Sequence, residues 1–258
     1  MILKEDFLPS FRDSDRNGLV SLKGYLNCFL DASTILMNSV HRSNDELFDE
    51  FGVNCIYTKY VVHIFKEADR RTNIQSETWL EEPKSQILTY FSTDFSRNGE
   101  VVASARAEAC AFDRKRLKID KLERIGIPDG FMEARKAMSG SVSKFRALEQ
   151  DEELYVYSHK VRYTDLDSNE HMTNLRYVDL VIDTFDSEFY MNKMITDFEI
   201  HFMNQCFEGE EIKIYKKRSP EENDVYFITV YKENGEVAVK TKIKVSNRQL
   251  FFKKGFTK

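Results

Sequence analysis

The stretch Thr164-Asp165-Leu166-Asp167-Ser168-Asn169-Glu170-His171-Met172-Thr173-Asn174-Leu175-Arg176-Tyr177-Val178-Asp179-Leu180-Val181-Ile182-Asp183 decides the reading of this chain, because it occurs twice. Laid on RDSDRNGLVSLKGYLNCFLD at 12–31 with an offset of 152 residues, Asp165 meets Asp13, Asp167 meets Asp15 and Asn169 meets Asn17. Tyr177 then meets Tyr25, and Met172, Val178, Val181 and Ile182 meet Val20, Leu26, Phe29 and Leu30. Two further pairs follow in the same order. VVHIFKEA (61–68) matches EIHFMNQC (199–206) at an offset of 138, and RNGEV (97–101) matches ENGEV (233–237) at 136. Three ordered anchors define a duplicated unit, and the falling offset places a shorter connection after the first helix of the second copy.

Each copy carries the same pattern. Leu22, Tyr25, Leu26, Phe29, Leu30, Leu36, Met37 and Val40 recur at helical spacing, which predicts an amphipathic helix of about five turns. Leu175, Val178, Val181, Ile182, Phe185 and Phe189 predict its counterpart in one run. The remainder of both copies is strand-like. Asn98-Gly99 and Asn234-Gly235 sit between strand-like runs and predict tight hairpins in which both turn residues take positive φ. The expected fold is α+β, with one long helix lying on an antiparallel meander in each unit. The expected division is an N-terminal unit over 1–130, a connector over 131–152 and a C-terminal unit over 153–258. The segment from about 126 to 152 has helical spacing and little strand character.

Bulk properties exclude several classes. The 258 residues are 41% hydrophobic and 31% charged, enough for a substantial core. A net charge of −5 argues against nucleic-acid binding. The basic clusters at 114–118, 216–218 and Lys253-Lys254 read as solvated surface or as docking points for an acidic partner. Cys28, Cys55, Cys110 and Cys206 are too scattered for a zinc site or a disulfide framework, which fits a cytoplasmic protein with reduced thiols. MILKEDFLPSFRDSD lacks the basic and apolar regions of a signal peptide, and no window is apolar for the ~20 residues of a membrane span. DSDRNG at 13–18 imitates the start of a calcium loop, but Gly24 and Arg176 stand where its bidentate Glu is required, so no metal or other cofactor is expected.

Chemistry concentrates in the second copy. Asp165, Asp167, Asn169, His171 and Asn174 fall within ten residues before a helix. Asp, Asn and Thr are ordinary helix caps, but the imidazole is not. The first copy has Leu19 where the second has His171, which favours one active site per chain. A helix start also offers unpaired N–H groups to a carbonyl oxygen. Asn204-Gln205-Cys206, at a strand end, is the second candidate element; Cys206 by itself reads as a small buried residue. His41, His63, His159 and His201 have no partner at recognisable spacing and read as structural or surface residues.

TDLDSNEHMTNLRYVDLV resembles the Asp-x-Asn-x-His-x-x-Asn-x-x-Tyr signature of the acyl-ACP thioesterases, the plant enzymes and their bacterial relatives. The resemblance extends to Asp13-Ser14-Asp15, Glu77-Thr78-Trp79 and the strand ending at Cys206. It implies two tandem hotdog units and hydrolysis of the thioester between a fatty acyl chain and acyl carrier protein, in fatty acid biosynthesis. It places Asp167, Asn169 and His171 on the family's Asp, Asn and His, and Gln205 where many members carry a Glu before the Cys. An amide cannot accept a proton at neutral pH, so two routes stand open: water attack activated by His171 or Asp167 and oriented by Gln205, or attack by the Cys206 thiolate with His171 as base. Water attack is favoured, because no cation neighbours Cys206 in sequence. Rival readings are an acyl-CoA thioesterase on the same fold and a catalytically weak acyl-binding protein. Acyl length depends on the apolar side chains between helix and sheet, and a fused pair of units satisfies a two-unit requirement within one chain, with further pairing into a homodimer left open.

Overall fold

Ser21 opens the first long helix, accepting the Gly24 amide at 3.0 Å. This helix, α1 (Leu22–Asn38), buries Leu22, Tyr25, Leu26, Phe29, Leu36 and Met37 on one side. A short helix, α2 (Asn44–Phe51), follows with a Ser43/Glu46 capping box and stops at Gly52, whose φ of +68° suits a residue without Cβ. These features belong to a computed structural model that describes residues 1–83 and 85–248; Lys253-Lys254 and the rest of the last ten residues lie outside the described region.

The strands of the first copy are β1 (Ile2–Phe7), β2 (Val53–Ile64), β3 (Ile74–Leu80), β4 (Thr89–Arg97), β5 (Glu100–Asp113) and the short β6 (Lys118–Asp120). The second copy has β7 (Tyr155–Lys160), β8 (Lys193–Phe202), β9 (Glu211–Arg218), β10 (Val225–Lys232) and β11 (Val237–Asn247), with α3 (Asn174–Ile182) and α4 (Ser187–Asn192). All pairings are antiparallel and join into one sheet, ordered β1-β3-β4-β5-β2-β8-β11-β10-β9-β7, with β6 beside β5. Read inward from either edge, the two halves have the same strand order. The expected double hotdog is therefore built as one sheet, sewn at its centre where Lys59–His63 pair with Asp197–His201.

Period-two alternation assigns the two faces. On β5, Ala103, Ala105, Ala107, Ala109 and Ala111 are all fully buried with α1 in one core cluster, and their small side chains let the helix approach closely. Ser104 and Arg106 point the other way, as do Ser92 and Asp94 on β4, toward the segment that crosses the opposite face. That segment, 126–151, forms no α-helix, contrary to its spacing. Its backbone N–H groups are taken by sheet side chains: Ala137 donates to Glu81, Met138 to Asp94, Ser143 to Glu199 and Leu148 to Thr229. Such bonds replace the i−4 carbonyl partners a helix needs.

Two other local expectations change. The second long helix breaks after Ile182. Thr184 returns its hydroxyl to Val181 O at 2.8 Å, and Asp186 caps a new helix through Phe189 N at 2.7 Å. The first hairpin has both residues at positive φ (Asn98 +51°, Gly99 +78°), but in the second only Gly235 does (+81°). There Asn234 Oδ1 instead accepts the Glu236 amide at 3.0 Å, a side-chain turn that needs no left-handed Asn. Among the described residues no helix is long and apolar enough to cross a membrane.

Candidate active site

The loop before α3 is tied by a set of bonds that recur in the first copy. Thr173 N donates to Asp165 O as Ser21 N does to Asp13 O, both at 2.9 Å. Asp167 N donates to His171 O as Asp15 N does to Leu19 O, and Asn169 N reaches Asp167 Oδ1 as Asn17 N reaches Asp15 Oδ1. Met172 N donates to Cys206 O at 2.8 Å, matching Val20 N to Ala68 O at 2.8 Å. The two sequence offsets, 152 and 138, thus meet in one hydrogen bond per copy. They stitch the helix-start loop to the turn that follows β8 or β2.

This framework brings the sequence candidates together. Asp167 Oδ2 lies 3.8 Å from His171 Nδ1, and the ring is one-fifth exposed. His171 also pairs across to Phe207, placing it beside the Gln205-Cys206 turn. Gln205 is exposed, and its carbonyl accepts Lys232 Nζ at 2.9 Å. Asn169 is exposed in the turn, and its backbone N–H donates to Asp167 Oδ1 at 2.8 Å. Cys206 is fully buried, its N–H donating to Tyr177 Oη at 3.1 Å, and burial pushes its thiol pKa up. That is the environment of a packing cysteine. A nucleophile needs its thiolate stabilised.

Asp165, the most buried carboxylate of the loop, serves as a hub. It accepts His159 Nε2 at 2.7 Å, Arg162 N at 2.9 Å and Arg176 Nε at 2.7 Å. Burial works to raise its pKa, but these donors outweigh burial and hold it below the usual carboxylate value. His159 therefore has a partner that spacing did not reveal, as do His63 with Asp197 and His201 with Glu199.

The helix start differs between copies. Ser21 caps α1 with its side chain, whereas Thr173 makes no such bond to α3, so the first-turn amides of α3 have no side-chain cap. Asn174, the first residue of α3, extends Nδ2 to Tyr60 Oη at 3.0 Å. Tyr60 belongs to the first copy, and repeat analysis aligns it with Phe198, so nothing in the sequence marked it. From Tyr60 the rings continue to Phe202 (5.0 Å between centroids), Tyr57 (5.6 Å) and on to Phe91 (5.5 Å from Tyr57). Phe91 lines a small apolar cavity of about 10 Å³ with Met37, Cys55, Ile125 and Met132, room for about one water. Among the described residues no group of His, Cys, Asp and Glu is arranged to hold a metal.

Residues 148–247 match the family model of the acyl-ACP thioesterase C-terminal domain. No curated protein matches the sequence. Three solved structures share the fold over nearly the whole chain. An acyl-ACP thioesterase from Bacteroides thetaiotaomicron is 17% identical with a TM-score of 0.83, covering 95% of this chain and 98% of that one. The 12:0-ACP thioesterase from Umbellularia californica is 13% identical with a TM-score of 0.81, covering 96% and 98%. A protein described as an oleoyl thioesterase from Lactobacillus plantarum is 16% identical with a TM-score of 0.80, covering 97% and 98%. The second copy is thus similar to the acyl-ACP thioesterase C-terminal domain, and the duplicated sheet has the double hotdog fold of these structures from end to end.

Proposed function

We propose that the chain hydrolyses a fatty acyl-ACP thioester at a single site on the C-terminal copy, with His171 as general base toward water. The observation that carries the reading is the pairing of His171 with Asp167 beside a helix start that no side chain caps. The uncapped amides of α3 and the positive end of its dipole suit the oxyanion of a tetrahedral intermediate. Asp167, 3.8 Å from the imidazole, favours the imidazolium that forms as water gives up its proton. The proton then passes to the departing thiolate of the carrier. Asn169 and Gln205, both exposed at the mouth, orient the water and the thioester. Burial of Cys206 favours water over thiolate attack.

The acyl tail runs from this point along Tyr60, Phe202 and Tyr57 toward the cavity at Phe91, which widens as the chain enters. The units 1–130 and 153–258, joined by 131–152, have divided roles in this reading: the first shapes the apolar path and the second performs the chemistry. A cytoplasmic setting belongs to the same proposal, and all four cysteines are free thiols. Thiol release from matched acyl-ACP and acyl-CoA substrates, with wild type against His171→Ala, tests it. Equal rates on the two carriers would favour the CoA reading, and turnover that survives His171→Ala would refute the assignment of the base.

A further inference from the structure

Where the second copy holds Asp167, His171, Gln205 and Cys206, the first holds Asp15, Leu19, Glu67 and Ala68, on the same backbone bonds. The loss of the imidazole makes this counterpart inert, yet it is richer in carboxylates. Arg248, the residue after β11, enters it from the second copy. Its Nη2 donates to Asp15 Oδ2 at 2.6 Å, its Nε lies 3.2 Å from Glu67 Oε1, and the same Nε donates to Lys193 O at 3.1 Å. The guanidinium is only 11% exposed, Asp15 21% and Glu67 14%. Two carboxylates and a carbonyl around one planar fork are the arrangement arginine satisfies and lysine does not.

We infer that the N-terminal copy retains a closed counterpart of the catalytic pocket, a guanidinium-binding site whose resident ligand is the chain's own Arg248. Three buried atoms at this place, Tyr25 Oη, Glu67 Oε1 and Arg248 Nη1, make no sound hydrogen bond within the protein. Tyr25 is fully buried and matches Tyr177, whose hydroxyl reaches the Cys206 backbone; at Ala68 the equivalent amide is not so engaged. So many polar atoms gathered in a buried site are those of a binding pocket, where a packed core would carry apolar side chains. Burial also pushes the Glu67 pKa up against the pull of Arg248, so the carboxylate depends on a cation beside it. With Arg248 seated, no thioester can enter the first copy. The same residue anchors the end of β11 to the start of β8, since Arg248 N donates to Asn192 O at 2.8 Å.

The test uses the full chain with Arg248→Met, which keeps the apolar stem and removes the fork. Its Tm should fall by several degrees, and millimolar methylguanidinium chloride should restore about 2–4 °C, the effect of roughly 1 kcal/mol of ligand binding. Tetramethylammonium chloride at equal ionic strength should not, and neither salt should raise the Tm of wild type or of Arg248→Met with Asp15→Asn and Glu67→Gln. Thiol release should stay within about threefold of wild type, since only the C-terminal site turns over. An unchanged Tm, equal rescue by both cations, or loss of turnover with the Tm intact would each overturn the site. Should Arg248→Met not fold, the Arg248 Nε–H resonance of wild type, assigned by its loss in Arg248→Lys, carries the test. Slow solvent exchange is expected, and exchange at the rate of free arginine would overturn the inference.

Discussion

Asp167 Oδ2 stands 3.8 Å from His171 Nδ1, while in the first copy the same loop sets Asp15 beneath Leu19 and turns its carboxylate to Arg248. One loop backbone thus carries an imidazole beside its carboxylate in the second copy and none in the first. If Asp167 acts only through the imidazole, the two residues form a unit. His171→Ala should lower kcat by about 10²–10⁴, and His171→Ala combined with Asp167→Asn should cost little more than His171→Ala alone. Steady-state thiol release on the four proteins checks this; additive losses would show that Asp167 has an independent role.

Cys206 should matter for packing more than for turnover. Cys206→Ala should keep kcat within about tenfold and lower stability by roughly 1 kcal/mol, through the small cavity left under Tyr177. Thermal unfolding and thiol release on the same preparation separate the two effects. A folded Cys206→Ala protein with no turnover would restore the covalent route.

Asp165 should tie the site's stability to pH. Its folded pKa lies below the unfolded value, so its contribution is fully present above about pH 4 and is lost as pH falls through the folded pKa. Asp165→Asn should therefore destabilise the protein at neutral pH by about 3 kcal/mol, leaving Arg176 and His159 without their anion, and should flatten the loss of stability below pH 4. Urea midpoints measured between neutral pH and pH 3 give both quantities. An equal destabilisation at every pH would mean that shape, not charge, is what Asp165 supplies.

Acyl length should answer to the far end of the aromatic row. Phe91 lines the small cavity and touches Tyr57. Phe91→Ala should move the preference toward longer acyl chains, by several-fold in kcat/KM for each methylene that gains a place, following about 0.8 kcal/mol per buried methylene. Turnover across a series of even-numbered acyl-ACPs reads the shift; an unchanged profile would mean that the tail takes another path.

The duplication was legible because the repeated residues make the same bonds in both copies, and equal bonds demand similar residues at equal places. Asp15 and Asp167 hold equivalent turns, Val20 and Met172 donate to equivalent carbonyls, and the asymmetry at Leu19 and His171 follows from the alignment alone. The break after Ile182 was hidden because Phe185 and Phe189 continue the apolar spacing while Thr184 and Asp186 take over the backbone bonds. The 126–151 segment failed as a helix for a related reason: its donors are claimed by Glu81, Asp94, Glu199 and Thr229, which lie far away in sequence.

Local sequence alone determined the repeat, the α+β class and the place of the imidazole, since periodicity, capping residues and turn chemistry act within a few residues of one another. Only the tertiary structure decided that Tyr60 of the first copy meets Asn174 of the second, that Cys206 is sealed from solvent, and that Arg248 fills the silent pocket. Those contacts depend on β2 pairing with β8 across the centre of the sheet. Long-range pairing of this kind is set by burial summed over the whole core, and no short stretch of residues records it.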